Sequence, residues 1–242
     1  MKIGVIIFII IAGIASVYAI GRSPKPSLAR THDPAAIRYL PLGDSYTIGQ
    51  SVRESERWPN QLTDRARASG IHLSIVANPA VTGYTTQDLI EKELPLVPRY
   101  HPDFVTVLIG VNDYVQGVDP IAFTRNLNYI LDSLQSNITK PKHIILVTIP
   151  DYGLTPTGGR FGPPEVSRVG VEKFNGIIRE AASAHNLAVA DIFSVSQTVV
   201  KDPTLTASDG LHPSGKQYKL WTEVIYKTIL DAQLFRLNAP KP

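Results

Sequence analysis

The sequence predicts an α/β domain in which a parallel β-sheet is wrapped by helices, and three observations carry that expectation. Beyond Pro34, apolar runs alternate with amphipathic stretches along the chain. Most of those runs are continuous rather than interrupted by polar residues, as strands covered on both faces require. The stretches between them place apolar residues three and four positions apart, which is the helical period. Alternation of this kind implies right-handed crossovers between neighbouring parallel strands.

Five strands are expected, at residues 37–42, 73–77, 104–109, 143–149 and 187–192. Pro59, Leu62 and Ala66 open a helix that Gly70 stops, since proline suits a first turn and glycine a helix end. Thr85-Thr86-Gln87-Asp88 offers capping oxygens to a helix running through Leu94. Residues 120–134 and 165–184 are helical by spacing, with Phe174, Ile177, Ile178 and Ala181 on one face. Ser214-Gly215-Lys216-Gln217 reads as a Ser-x-x-Gln capping box ahead of a last helix, whose apolar face is Tyr218, Trp221, Val224 and Ile225. Residues 150–164, rich in Gly and Pro, form the one long irregular stretch. They follow the fourth strand and so fall at the carboxyl edge of the sheet, where open α/β folds bind ligands.

A chain of 242 residues, 43% hydrophobic and 19% charged, suits one sizeable globular domain. The net charge of +3 is slight, and no Lys/Arg block recurs on a helical period, so no nucleic-acid partner is expected. The absence of cysteine excludes thiolate metal sites, disulfides and an acylated-cysteine anchor. There is no Gly-rich phosphate loop, dinucleotide fingerprint or His-Glu-x-x-His pair. His32, His72, His101, His143 and His185 are scattered without ligand spacing and read as structural or surface residues. No cofactor and no metal are expected.

Lys2 is followed by an uncharged run to Ile20, dominated by Ile, Val and Ala. It approaches the roughly 20 residues that a membrane-spanning helix needs. Val17-Tyr18-Ala19 supplies the small residues a signal peptidase reads. Residues 1–20 are therefore a signal peptide or an N-terminal membrane anchor. Arg22, Lys25 and Arg30 just beyond them give no clear orientation. Residues 21–34 read as a solvated linker and residues 35–242 as the folded domain. The domain is expected to be extracytoplasmic, either secreted or anchored to the membrane by the N-terminal segment.

The residues that carry chemistry lie just past strands or just before helices. Ser45, in Gly43-Asp44-Ser45-Tyr46, follows the first strand at a turn where a glycine permits close backbone approach. Its own N–H can then donate to a developing oxyanion. Asp209 and His212, in Asp209-Gly210-Leu211-His212, are three positions apart. A carboxylate at that spacing reaches the histidine Nδ1 and leaves Nε2 free to take a serine proton. Gly83 after the second strand and Asn112 after the third supply a backbone N–H and a neutral side-chain amide, both suitable oxyanion donors. Position 47 is Thr, so Ser45 does not sit in the Gly-x-Ser-x-Gly elbow.

In these four segments the chain resembles the SGNH, or GDSL, hydrolases, whose Ser, Gly, Asn and His lie in four separated blocks. Gly43-Asp44-Ser45 is similar to the first block, Gly83 to the second, Gly110-Val111-Asn112-Asp113 to the third and Asp209-Gly210-Leu211-His212-Pro213 to the last. The resemblance covers residue 37 to the C-terminus and departs from the family name only in Tyr46, where a leucine is implied. It implies a three-layer α/β/α flavodoxin-like sandwich with a five-stranded parallel sheet. It also implies that Ser45 is the nucleophile and His212 the general base, with Asp209 orienting the histidine. Ser45 N–H, Gly83 N–H and the Asn112 amide would form the oxyanion hole.

The expected activity is hydrolysis of carboxylic esters, acyl or lysophospholipid-type, through an acyl-enzyme. The substrate would be a small-molecule, lipid or glycan ester. Tyr46, Trp58, Tyr84, Tyr114 and Phe161 are candidates for the walls of a substrate groove, and Asp44 and Asp113 for hydrogen-bonding supports. A carbohydrate O-acetyl esterase acting on cell-surface polysaccharide, an acyltransferase and a non-catalytic binding protein on the same fold are the alternatives.

Overall fold

A computed structural model describes residues 36–235. The apolar segment 1–20 and the linker 21–34 lie outside those residues. No helix among the described residues is long and apolar enough to cross a membrane.

The chain opens with β1 (Ile37–Gly43), which runs into the short helix α1 (Ser45–Ile48). α2 (Trp58–Arg67) carries Pro59 in its first turn and leads to β2 (Leu73–Ile75). α3 (Thr86–Asp88) is capped as expected, the Thr85 hydroxyl accepting from Asp88 N–H while the Asp88 carboxylate accepts from Thr85 N–H. The helix expected to continue through Leu94 instead widens into a π turn at Leu89–Glu93, tightens into a 3₁₀ turn at Leu94–Leu96, and resumes as α4 (Val97–Tyr100). Pro95 and Pro98 cause the change, because each removes a donor and crowds the carbonyl four residues back.

β3 (Phe104–Leu108), α5 (Val111–Val115) and α6 (Pro120–Asn137) follow, then β4 (Ile144–Val147), α7 (Pro164–Ala184), β5 (Ala188–Ala190), α8 (Phe193–Ser196) and α9 (Gly215–Asp231). Only half of the expected capping box forms on α9. Ser214 Oγ accepts from Gln217 N–H, but the Gln217 amide donates to Ser196 O rather than back to Ser214.

All five strands pair in parallel, in the order β2-β1-β3-β4-β5. β3 and β4 are buried along their whole length, whereas β2 and β5 at the edges are shorter than their apolar runs and partly exposed. The chain leaves β1 toward one edge and β3 toward the other. Right-handed crossovers therefore put α2 on one face and α6 and α7 on the opposite face, giving three layers. α9 returns to pack on α2, and α6 packs on α7. Trp58 and Trp221, one from each of α2 and α9, are fully buried in the first layer. The loops after β1 and β3 diverge from adjacent strands, so a crevice opens there at the carboxyl edge of the sheet.

Candidate active site

Three of the five sequence-predicted site residues, Ser45, Gly83 and Asn112, lie on loops or first turns that follow β1, β2 and β3; Asp209 and His212 come from the loop before α9. Ser45 is the first residue of α1 and is 5% exposed. The turn depends on Gly43, whose φ is +149°. A Cβ there would lie 2.2 Å from the Leu108 carbonyl oxygen, so the backbone of β1 touches β3 with no room for a side chain. Asp44 caps α1 by accepting from Tyr46 N–H at 3.0 Å. Among the described residues, neither the hydroxyl nor the backbone N–H of Ser45 has a hydrogen-bond partner.

Asp209 and His212 occupy a tight loop closed by Ala207 N–H to His212 O at 2.7 Å and by Ser214 N–H to Leu205 O at 2.8 Å. His212 Nδ1 lies 2.6 Å from Asp209 Oδ2, and the ring is buried. Asp209 Oδ1 accepts from the N–H groups of Leu211 and His212, each at 2.9 Å, and Oδ2 also accepts from the Ser51 hydroxyl at 2.6 Å. Partial burial works to raise the Asp209 pKa, but these hydrogen bonds outweigh it and hold the group well below the usual carboxylate range. The His212 ring meets the edge of Tyr46, the residue after Ser45, at 5.7 Å between centroids. The loop that carries His212 is thereby packed against the helix that carries Ser45.

Gly83 has φ +88°, and nothing lies within 4 Å of the place a Cβ would take. Its N–H has no hydrogen-bond partner among the described residues. Asn112 Nδ2 donates to Tyr84 O at 2.9 Å, which ties it to the Gly83 loop. Its second amide hydrogen has only Asp44 Oδ2, at 3.5 Å. Asp113 accepts from Thr86 N–H at 2.9 Å and Thr86 Oγ1 at 2.5 Å, so it is the support the sequence suggests.

Beneath this edge lies a feature that no local motif signals. Glu93, from the π turn, is fully buried and accepts Gly43 N–H on Oε2 at 3.1 Å, while its Oε1 has no partner. Burial drives the Glu93 pKa well above the carboxylate range, and Asp44 nearby adds to the rise. Burial also pushes Asp44 up to about 8, with Asp113 contributing. Two carboxyl groups under the serine turn are thus held close to neutral, because the interior penalises their charge.

The five candidate groove aromatics divide. Tyr46 and Trp58 are core residues, since each rests on the internal face of its helix. Tyr84 and Tyr114 are half-buried and Phe161 is 47% exposed. Tyr114, Tyr152 and Phe161 form a chain of ring contacts at 6.5 and 6.0 Å leading from α5 into residues 150–164. That segment contains two 3₁₀ turns and joins the histidine loop through Thr157 N–H to Gly210 O at 2.9 Å. Among the other histidines, His185 bonds Gln135 and Asn128 between helices, His143 packs on Phe235, and His32 lies outside the described residues.

The chain is 24% identical to an arylesterase of Vibrio mimicus over 179 residues, covering 74% of this chain and 81% of that protein. It is 25% identical over 180 residues to thioesterase 1/protease 1/lysophospholipase L1 of Escherichia coli, covering 74% and 77%. The crystal structure of a lipase/acylhydrolase from Enterococcus faecalis superposes with a TM-score of 0.67 at 22% identity, covering 84% of this chain and 99% of that one. The sequence profile of the GDSL-like Lipase/Acylhydrolase family matches residues 42–220, which include every candidate site residue. The chain belongs to the GDSL-like Lipase/Acylhydrolase family and is an enzyme that hydrolyses ester bonds.

Proposed function

We propose that the enzyme is a serine esterase in which Ser45, His212 and Asp209 form the triad. The observation that carries this reading is the 2.6 Å contact of His212 Nδ1 with Asp209 on a loop packed against α1. With Nδ1–H held by the carboxylate, Nε2 is the free lone pair that takes the proton from Ser45 Oγ as it attacks the ester carbonyl. The tetrahedral oxyanion is received by Ser45 N–H, Gly83 N–H and the second Asn112 amide hydrogen, all three without a close competing acceptor. His212 returns the proton to the leaving alcohol. Water then attacks the acyl-enzyme with the same histidine as base. The Ser45 hydroxyl meets its base when substrate is bound, and such contacts are commonly long in enzymes without substrate.

The exposed side chains around the Gly83 loop, α5 and residues 150–164 include Val81, Val115 and Phe161. They favour an ester with an apolar acyl or aryl group over a sugar-linked acetyl. The uncharged run to Ile20 supports placement outside the cytoplasm. The test is hydrolysis of p-nitrophenyl esters from acetyl to long acyl chains by the purified protein, with Ser45→Ala in parallel. Loss of turnover in the variant and an optimum above acetyl are expected. Wild-type turnover in Ser45→Ala removes the serine from the mechanism, and an acetyl optimum transfers the enzyme to the deacetylases.

A further inference from the structure

We propose that Ser51 is a positioning residue for the triad, holding the Asp209 carboxylate in register with the helix that carries the nucleophile. The inference rests on the triad reading above. Ser51 lies six positions after Ser45, in the turn that follows α1. Its hydroxyl donates to Asp209 Oδ2 at 2.6 Å, the same oxygen that faces His212 Nδ1. A residue of the turn that ends the nucleophile's helix thus touches the carboxylate that orients His212.

Two further observations support the assignment. Ser51 adopts φ +66°, a conformation that favours glycine, so the site retains a side chain where the backbone would be better served without one. The neighbouring Gln50 reaches the other way, its Oε1 accepting from Thr82 Oγ1 at 2.5 Å. Thr82 adjoins Gly83. Residues 50 and 51 therefore tie the helix of the nucleophile to the base loop on one side and to the oxyanion loop on the other.

The Ser51 hydrogen bond draws charge off the carboxylate oxygen that meets the imidazole. Removing it leaves Asp209 Oδ2 more basic toward His212, which favours the protonated ring and frees the carboxylate to rotate. The other ionisable groups around the pair are Tyr46 on α1, Tyr218 on α9, Asp44 beneath α1 and Arg57 ahead of α2. Burial keeps both phenols neutral, and the Ser51 hydroxyl bonds none of the four.

The experiment measures kcat and kcat/KM against pH, with p-nitrophenyl butyrate, for wild type, Ser51→Gly, Ser51→Ala and Gln50→Ala. Ser51→Gly removes the hydroxyl while suiting the backbone, and Ser51→Ala keeps the Cβ. Both Ser51 variants are expected to lose roughly tenfold in kcat, the effect of one hydrogen bond to a charged group. Both should also move the acidic limb of the profile up by roughly half a pH unit. Gln50→Ala loosens the same turn without touching Asp209, so it lowers kcat and leaves the limb in place. An unmoved limb in both Ser51 variants overturns the proposal, whatever their rate. The triad reading fails separately, on undiminished activity in Ser45→Ala or His212→Ala.

Discussion

Asp209 and His212 are joined twice within one turn, by Nδ1 to Oδ2 at 2.6 Å and by the His212 backbone N–H to Oδ1 at 2.9 Å. The carboxylate thus accepts from both the ring and the backbone of the residue it orients. Asp209→Asn keeps the size but can present an N–H to Nδ1, which inverts the tautomer and puts the ring proton on Nε2, the nitrogen that accepts from Ser45 in the proposed mechanism. Turnover is expected to fall by roughly a thousandfold or more with folding intact. Steady-state kinetics beside a thermal melt checks both halves, and turnover within threefold of wild type would rule out the orienting role.

Asn112→Ala removes the bond to Tyr84 O and, in the proposed mechanism, one oxyanion donor. Because the oxyanion exists only after attack, the loss should appear in kcat, by about a hundredfold or more, with KM little changed. A variant whose KM rises while kcat holds would make Asn112 a substrate-binding residue instead.

The buried carboxyl groups make stability depend on pH in a defined direction. Glu93 has a folded pKa well above its unfolded value near 4.5, and Asp44 is pushed up to about 8 from 3.8. The folded state therefore binds more protons than the unfolded one between about pH 4 and pH 8. Their contribution is complete below pH 4 and is lost as the pH rises toward 8. Glu93→Gln is neutral throughout that window and its amide oxygen can still accept Gly43 N–H. Its Tm relative to wild type is expected to climb as the pH is raised from 4.5 to 8, at about 2–4 °C per kcal/mol for a domain this size. A Tm difference that is flat across the series would show that Glu93 does not titrate in that range.

Gly43→Ala is expected to unfold the domain or cost about 3 kcal/mol or more, because the new Cβ collides with backbone at the β1–β3 contact rather than with a side chain that can move. Gly83→Ala meets no atom and carries only the strain of its positive φ, about 1–2 kcal/mol. Chemical denaturation of the two variants should separate them clearly. Equal losses would show that backbone strain, and not the steric contact, decides at Gly43.

Much of this was legible before any coordinates. Apolar runs, most of them continuous, marked the five strands, and β3 and β4 show why: a strand buried on both faces has no polar side to show. Thr85 with Asp88, and Pro59 in a first turn, announced helix starts through bonds that span three residues or fewer. Asp209 and His212 were readable as a pair for the same reason. What spacing missed was long-range. The proline-broken helix became a π turn that aims Glu93 at Gly43, fifty positions away. The Ser51 hydroxyl meets Asp209 across 158 positions. Tyr46 and Trp58 looked like groove aromatics because both lie near loops in the sequence, yet the helices that carry them turn both rings inward.

By itself, then, the sequence determined the alternation of strands and helices, the four blocks and the family, since each of these is written in periodicity or in short motifs. Only the tertiary structure decided the strand order that opens the crevice between β1 and β3, the joining of the His212 loop to α1, and the burial of the carboxyl groups of Asp44 and Glu93 beneath Ser45. Those depend on distances between residues remote in the chain and on exclusion of water, and neither quantity exists until the sheet has closed its layers.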